Sequence, residues 1–193
     1  MIPVVYRVVT FGGFLILSGC ANPLNQVTAE RYSKTCLEAE RNGRLEVAEE
    51  ACRRALINVD IGHLSELQKS QKLYNYARVK RQLGKYQEAE GLFKQSLDIE
   101  EKQTPPSNER IGRRLAELAM VVAELKRFDD GLSYVERLLP LADQYTGDER
   151  KAVATLFGVY AEQLKKSNSN NPVVAKIAKK ATDMGFDPKE LRK

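Results

Sequence analysis

The chain has 193 residues, 42% hydrophobic and 30% charged, with a formal net charge of +5. Such a composition suits one ordinary globular domain preceded by a less soluble segment. No stretch reaches the roughly 18 uninterrupted apolar residues of a membrane-spanning helix, and a charge this modest selects no class of partner.

The first element is the run Val8 to Cys20, "VVTFGGFLILSGC". It is too short to span a bilayer and carries two adjacent glycines, which fits the apolar centre of an export signal. Arg7 and the terminal amine supply the cationic start, and Ser18 and Gly19 are the small residues ahead of a cut. Leu17-Ser18-Gly19-Cys20 resembles the bacterial lipobox. The resemblance implies removal of residues 1–19, a diacylglycerol on the Cys20 sulfur and acylation of the new amino group. Ala21, standing where Asp would retain the protein at the inner membrane, implies the outer membrane, with the chain facing the periplasm. Two or three acyl chains suffice for stable anchoring, where one is marginal.

"ANPLNQVT", Ala21 to Thr28, lacks a period and contains Pro23, so residues 20–27 are expected to form a lipidated tether. From about Thr28 apolar residues recur at three and four, and no alternating strand pattern is seen. The pattern also repeats. Leu73, Ala77, Tyr86, Ala89, Phe93 and Leu97 match Leu115, Ala119, Phe128, Gly131, Val135 and Leu139 at a constant offset of 42. Tyr32, Cys36, Gly43, Leu45, Ala48, Cys52 and Leu56 continue the frame upstream at 41, and Phe157 and Ala161 downstream at 42. "LYNYA" at Leu73 with "GKYQEA" at Gly84 resembles the tetratricopeptide repeat in its kinesin-light-chain-like form. The resemblance implies an all-α, right-handed superhelical stack of helix-turn-helix repeats over 28–184, about three repeats plus a degenerate fourth. Residues 185–193 are left as a tail or short helix.

A helical hairpin needs small residues where its axes approach, and Cys36 with Ala48, Ala77 with Ala89, and Ala119 with Gly131 supply them. Leu73, Tyr76, Phe93 and Leu97 are expected to fill the wedge between hairpins, since no single hairpin buries its apolar face alone. Ser65 and Gln68 predict a capping box, Asn171 and Pro172 a capped helix start, and Gly185 a stop. "TPPSN", Thr104 to Asn108, breaks the chain between repeats.

Chemistry-bearing motifs are sparse. His63 is the only histidine, and no phosphate loop, metal-spaced cluster or catalytic serine motif is present. The expectation is a non-enzymatic chain with no cofactor or metal beyond the covalent lipid. Glu49-Glu50 and Glu100-Glu101 read as solvated acids. Cys36 and Cys52 face inward in the frame and leave two readings open. In an oxidising compartment they form a disulfide closing about 16 residues, with a contribution of about 3 kcal/mol. Otherwise they are small buried hydrophobes in the places of Ala77 and Phe93.

Lys69, Lys72, Arg78, Lys80, Arg81 and Lys85 accumulate between Glu66 and Glu88 without an intervening acid, and from Gln163 onward eight Lys or Arg face three acids. These are either solvated faces or contacts for an acidic protein segment or anionic envelope polymer; export sets nucleic acid aside. The repeat resemblance implies a concave groove lined by first helices. The frame places Gln71, Tyr74, Asn75, Arg78, Arg81, Gln82, Arg113, Glu117 and Glu124 on it. Asn75 and Arg113 fall on positions of the family's carboxylate clamp, while Ser33, Leu37 and Glu117 depart from it. The reading is an outer-membrane-anchored scaffold or assembly factor that holds envelope protein clients, similar to the repeat lipoproteins of pilus or secretin assembly. The alternative is a structural envelope lipoprotein acting by self-association or by cell-wall contact through its basic C-terminal part.

Overall fold

The structure is a computed structural model that describes residues 22–167 and 171–189. The signal segment, Cys20 and residues 168–170 lie outside the described residues. Eight α-helices follow one another: α1 (Pro23–Arg41), α2 (Leu45–Ile61), α3 (Glu66–Gln82), α4 (Tyr86–Glu101), α5 (Asn108–Glu124), α6 (Phe128–Leu138), α7 (Gly147–Lys166) and α8 (Pro172–Asp183). They form four antiparallel hairpins, and the second helix of each hairpin packs on the first helix of the next. The result is an all-α, right-handed stack. Among the described residues no helix is long and apolar enough to cross a membrane.

Helix ends follow local chemistry. Ser65 and Gln68 form the reciprocal capping box that starts α3, and Asn171 caps α8 with Pro172 in its first turn. Gly43 and Gly84 close α1 and α3 with left-handed φ of 67° and 72°, which satisfies the last carbonyls without a Cβ penalty. Lys126 takes the equivalent place after α5 with φ 60°, where a side chain is disfavoured.

Three features differ from the sequence reading. Helical order begins at Pro23, not at Thr28: Asn22 accepts a hydrogen bond from the Leu24 amide, and proline tolerates a first-turn position. The stretch expected as a tether is therefore helical from Pro23 onward. α6 is only 11 residues long and continues as a 3-10 segment, Leu139–Gln144, because Pro140 cannot donate the next helical bond. Gly131 is small for a partner in the next repeat as well. A Cβ there would overlap the Tyr160 hydroxyl, and that hydroxyl donates to the Ala119 carbonyl at 2.8 Å.

The main core runs from α3 to α8 through Ala77, Phe93, Leu115, Ala119, Val135, Phe157, Tyr160 and Ile177. Phe186 folds back over Gly158 and closes the far end. The first hairpin has a separate core of small residues, Cys36, Ala39, Ala48, Ala51 and Cys52, on which Val79, Tyr76 and Leu83 of the second hairpin pack. Cys36 and Cys52 are joined in a disulfide with Cα atoms 5.1 Å apart, inside the span that a bridge requires.

Glu100 contradicts its reading as a solvated acid. It is 1% exposed, because α5 of the next hairpin covers that face of α4. Its Oε1 lies 3.0 Å from Arg114 Nη2 and accepts from Ser70 Oγ at 2.7 Å, while Oε2 accepts from Arg110 Nε at 2.7 Å. Arg114 Nε donates to Ser96 Oγ, and the guanidinium stacks 4.8 Å above the Tyr74 ring. Glu101, its neighbour, is exposed and pairs with Arg137.

Candidate functional site

The first helices α1, α3, α5 and α7 line a concave groove with a cavity of about 740 Å³. Gln71, Tyr74, Asn75, Arg78, Arg81, Gln82, Arg113 and Glu117 all line it. A run on α3 at spacings of three and four necessarily shares one face, and the parallel α5 adds Arg113 and Glu117. Glu124 does not line it; it stands exposed on the last turn of α5. Sequence reasoning did not place Arg41, Met120, Tyr145, Glu149 or Val153 there. The last three sit on or before α7, whose match to the repeat frame is the weakest.

The six cations between Glu66 and Glu88 are not a free basic face, because each meets an acid supplied from elsewhere in the chain. Lys69 pairs with Asp60, Lys72 with Glu30, Arg78 with Glu40, Lys80 with Glu49 and Glu88, Lys85 with Glu49, and Arg81 with Glu117. Glu49, read as solvated, is half-buried between two of these lysines. Burial opposes the ionised forms of Glu49 and Lys80, but their mutual pairing outweighs it and both stay charged more firmly than usual. These pairs tie α3 to its neighbours and neutralise its cations from within the chain.

Within the groove, Gln82 and Arg78 both donate to Glu40, and Gln71 donates to Asn75. Burial pushes the Tyr74 hydroxyl up to about 12 and raises the Glu117 carboxyl despite Arg81 at 2.9 Å. Glu117 thus binds its proton more tightly folded than unfolded, so the stability it confers is full at low pH and is lost as pH rises through its raised pKa. Glu117→Gln is expected to raise the denaturation midpoint at pH 7. That gain should shrink toward pH 4.5, as followed by urea unfolding; a midpoint difference independent of pH would refute the assignment.

Four groups in the groove have buried polar atoms without a hydrogen-bond partner: Arg81 Nε and Glu117 Oε2, which face each other as an ion pair, and Arg113 Nε and Tyr145 Oη. Arg113 otherwise reaches Glu109 and Glu149 at 3.2 Å through Nη2. Of the carboxylate-clamp positions, Ser33, Leu37 and Glu117 line the groove and contribute no cation, and the nearby Arg78 and Arg81, outside that set, already hold internal carboxylates. At the C-terminal end, Lys176, Lys179 and Lys180 gather beside a second cavity, with Lys180 held by Asp143 at 2.7 Å. No group of three metal-ligating side chains occurs among the described residues.

Two solved structures of similar shape bear on the fold. The crystal structure of BtubC (BKLC) from P. vanneervenii aligns with TM-score 0.69 and 18% identity, covering 85% of this chain and 67% of that one. The crystal structure of Podosopora anserina "kinesin light chain nearly identical TPR-like repeats" aligns with TM-score 0.61 and 15% identity, covering 86% and 77%. No protein-family model and no curated protein matches the chain. The fold is that of tetratricopeptide-like repeats of the kinesin-light-chain kind.

Proposed function

We propose that this chain is a lipid-anchored envelope scaffold whose concave groove holds a segment of a client protein, with Cys20 as the lipidated residue. The observation that carries the groove assignment is the concave surface shared by α1, α3, α5 and α7, on which Arg41, Gln71 and Gln82 stand exposed. Exposed amide and guanidinium donors along a concave helical surface suit an extended peptide, whose backbone carbonyls accept from them. Because the α3 cations are internally neutralised, recognition rests on hydrogen bonds and on apolar contact with Met120 and Val153 rather than on bulk positive charge.

This changes which variants test the idea. Reversing Arg78 or Arg81 would leave Glu40 or Glu117 beside a new acid and disturb the fold. Photocrosslinking from Gln71, exposed in the groove, against Gln95, exposed on α4, separates the surfaces cleanly. In intact cells a discrete client is expected to crosslink from position 71 and not from 95. Equal crosslinking from both positions would remove the groove assignment.

A further inference from the structure

We propose that the end of the stack beside Asn22 seats on the bilayer surface, so that the domain stands on the membrane by an apolar edge rather than trailing from a flexible tether. The proposal rests on the reading of Cys20 as the lipid attachment site and adds an orientation to it.

Exposed large hydrophobic side chains among the described residues are Leu24, Val27, Val47, Ile57, Ile61 and Leu67. All but Val47 lie at one end of the stack. Leu24 and Val27 are on the first turns of α1, Ile57 and Ile61 on the last turns of α2, and Leu67 on the first turn of α3. The Asn22 amide donates to the Gly62 carbonyl at 3.1 Å, which fixes the start of α1 against the end of α2. Lys69 meets Asp60 at 2.8 Å and brings the start of α3 to the same end. The terminal face of a repeat stack is normally polar where it meets water. Here Leu24, Val27 and Ile61 are each more than 60% exposed on the first hairpin.

The position of Cys20 in the sequence says what covers this edge. It precedes the helix cap Asn22 by two residues, a contour of at most about 7 Å. Acyl chains attached there enter the bilayer within reach of Leu24 and Ile61. Charge sets the mode of that contact. Arg31, Lys69 and Lys72 toward this end are accompanied by Glu30, Asp60 and Glu66, so no cationic excess draws the edge to anionic headgroups. Contact is through shallow apolar insertion, and it is insensitive to salt.

The chain contains no tryptophan, so a single introduced indole reports cleanly. Full-length lipidated protein carrying Ile61→Trp, and separately Gln87→Trp at the exposed opposite end of the second hairpin, is placed in phosphatidylethanolamine–phosphatidylglycerol vesicles with brominated acyl chains. Ile61→Trp emission is expected to be quenched several-fold more than that of Gln87→Trp, equally at low and high salt. Leu24→Trp, with the same expected result, replaces Ile61→Trp should that variant unfold. Equal, weak quenching of both reporters on vesicles that still carry the protein overturns the seating while leaving the lipid reading intact. A blue-shifted but unquenched Ile61→Trp with a doubled mass assigns the edge to a second copy and likewise overturns it. A wild-type chain that takes no acyl label and does not float with vesicles overturns the lipid reading and the seating together.

Discussion

Glu100→Ala is expected to destabilise the folded chain by about 3–5 kcal/mol, the usual cost of stranding one member of a buried ion pair. Arg114, 1% exposed, would keep Ser96 Oγ, Ser70 Oγ and the Arg110 carbonyl as partners but lose its countercharge. Ser70, Ser96 and Tyr74 surround the guanidinium. The half-buried Arg110 can turn outward and adds less. The double replacement Glu100→Leu/Arg114→Leu should recover much of the loss, since a buried pair stabilises little relative to apolar side chains of similar size. Urea unfolding of the two single variants and the double variant, read as a cycle, measures the coupling.

The same pair predicts acid sensitivity. Burial would raise the Glu100 carboxyl, but Arg110, Ser70 and Arg114 together hold it below its ordinary range. A carboxyl depressed in the folded state contributes its full stability above about pH 4.5 and loses it as pH falls through the lower folded value. Wild-type midpoints should therefore drop on acidification below about 4.5, and Glu100→Gln should flatten that part of the profile. An unchanged acid limb in the variant would place the acid sensitivity in other carboxylates.

The repeat was legible in the sequence because the small and large core positions, Ala77 with Ala119 and Leu73 with Leu115, recur at a fixed interval that sterics impose on every hairpin. Caps were legible for the same reason: Ser65 with Gln68 and Asn171 with Pro172 act on amides within three residues. The α3 side of the groove followed from the frame. The α7 side did not, because Tyr145 and Val153 sit where the repeat has degenerated. Electrostatics were the least legible. Lys72 and Glu30, or Glu100 and Arg114, are partners through the stacking of different helices, and polar residues destined for burial show the same helical spacing as solvated ones. The acid-poor stretch around α3 consequently looked like a partner surface, although Glu30, Glu40, Glu49 and Glu117 neutralise it from flanking elements.

Opening the Cys36–Cys52 bridge is expected to cost about 3 kcal/mol, the loop-closure value for a sequence separation of 16. The first hairpin is where such a link matters most. Its own core consists of Ala39, Ala48, Ala51 and the two half-cystines, small groups that bury little apolar area, and its outer face has no preceding repeat among the described residues. The repeat frame also suggests a substitution that isolates the covalent link from packing. Position 36 matches Ala77 and Ala119, and position 52 matches Phe93 and Val135. Cys36→Ala/Cys52→Val therefore keeps side chains that the fold already accepts in equivalent places. With the bridge intact, wild type should unfold at higher denaturant than this variant, and reductant added to unfolded wild type should bring its refolded midpoint down to the variant's. The variant itself should ignore reductant. Midpoints of wild type and variant that coincide under oxidising conditions would show that the two cysteines act only as small hydrophobes. A difference of about 3 kcal/mol corresponds to about a hundredfold change in the folding equilibrium, and its loss falls on the hairpin that carries Leu24, Val27 and Ile61. Reduction should accordingly loosen the edge formed by the start of α1 and the end of α2 before it disturbs the groove wall formed by α5 and α7. Hydrogen exchange of α1 and α2 amides, compared with those of α5, distinguishes that order from a uniform loss of stability.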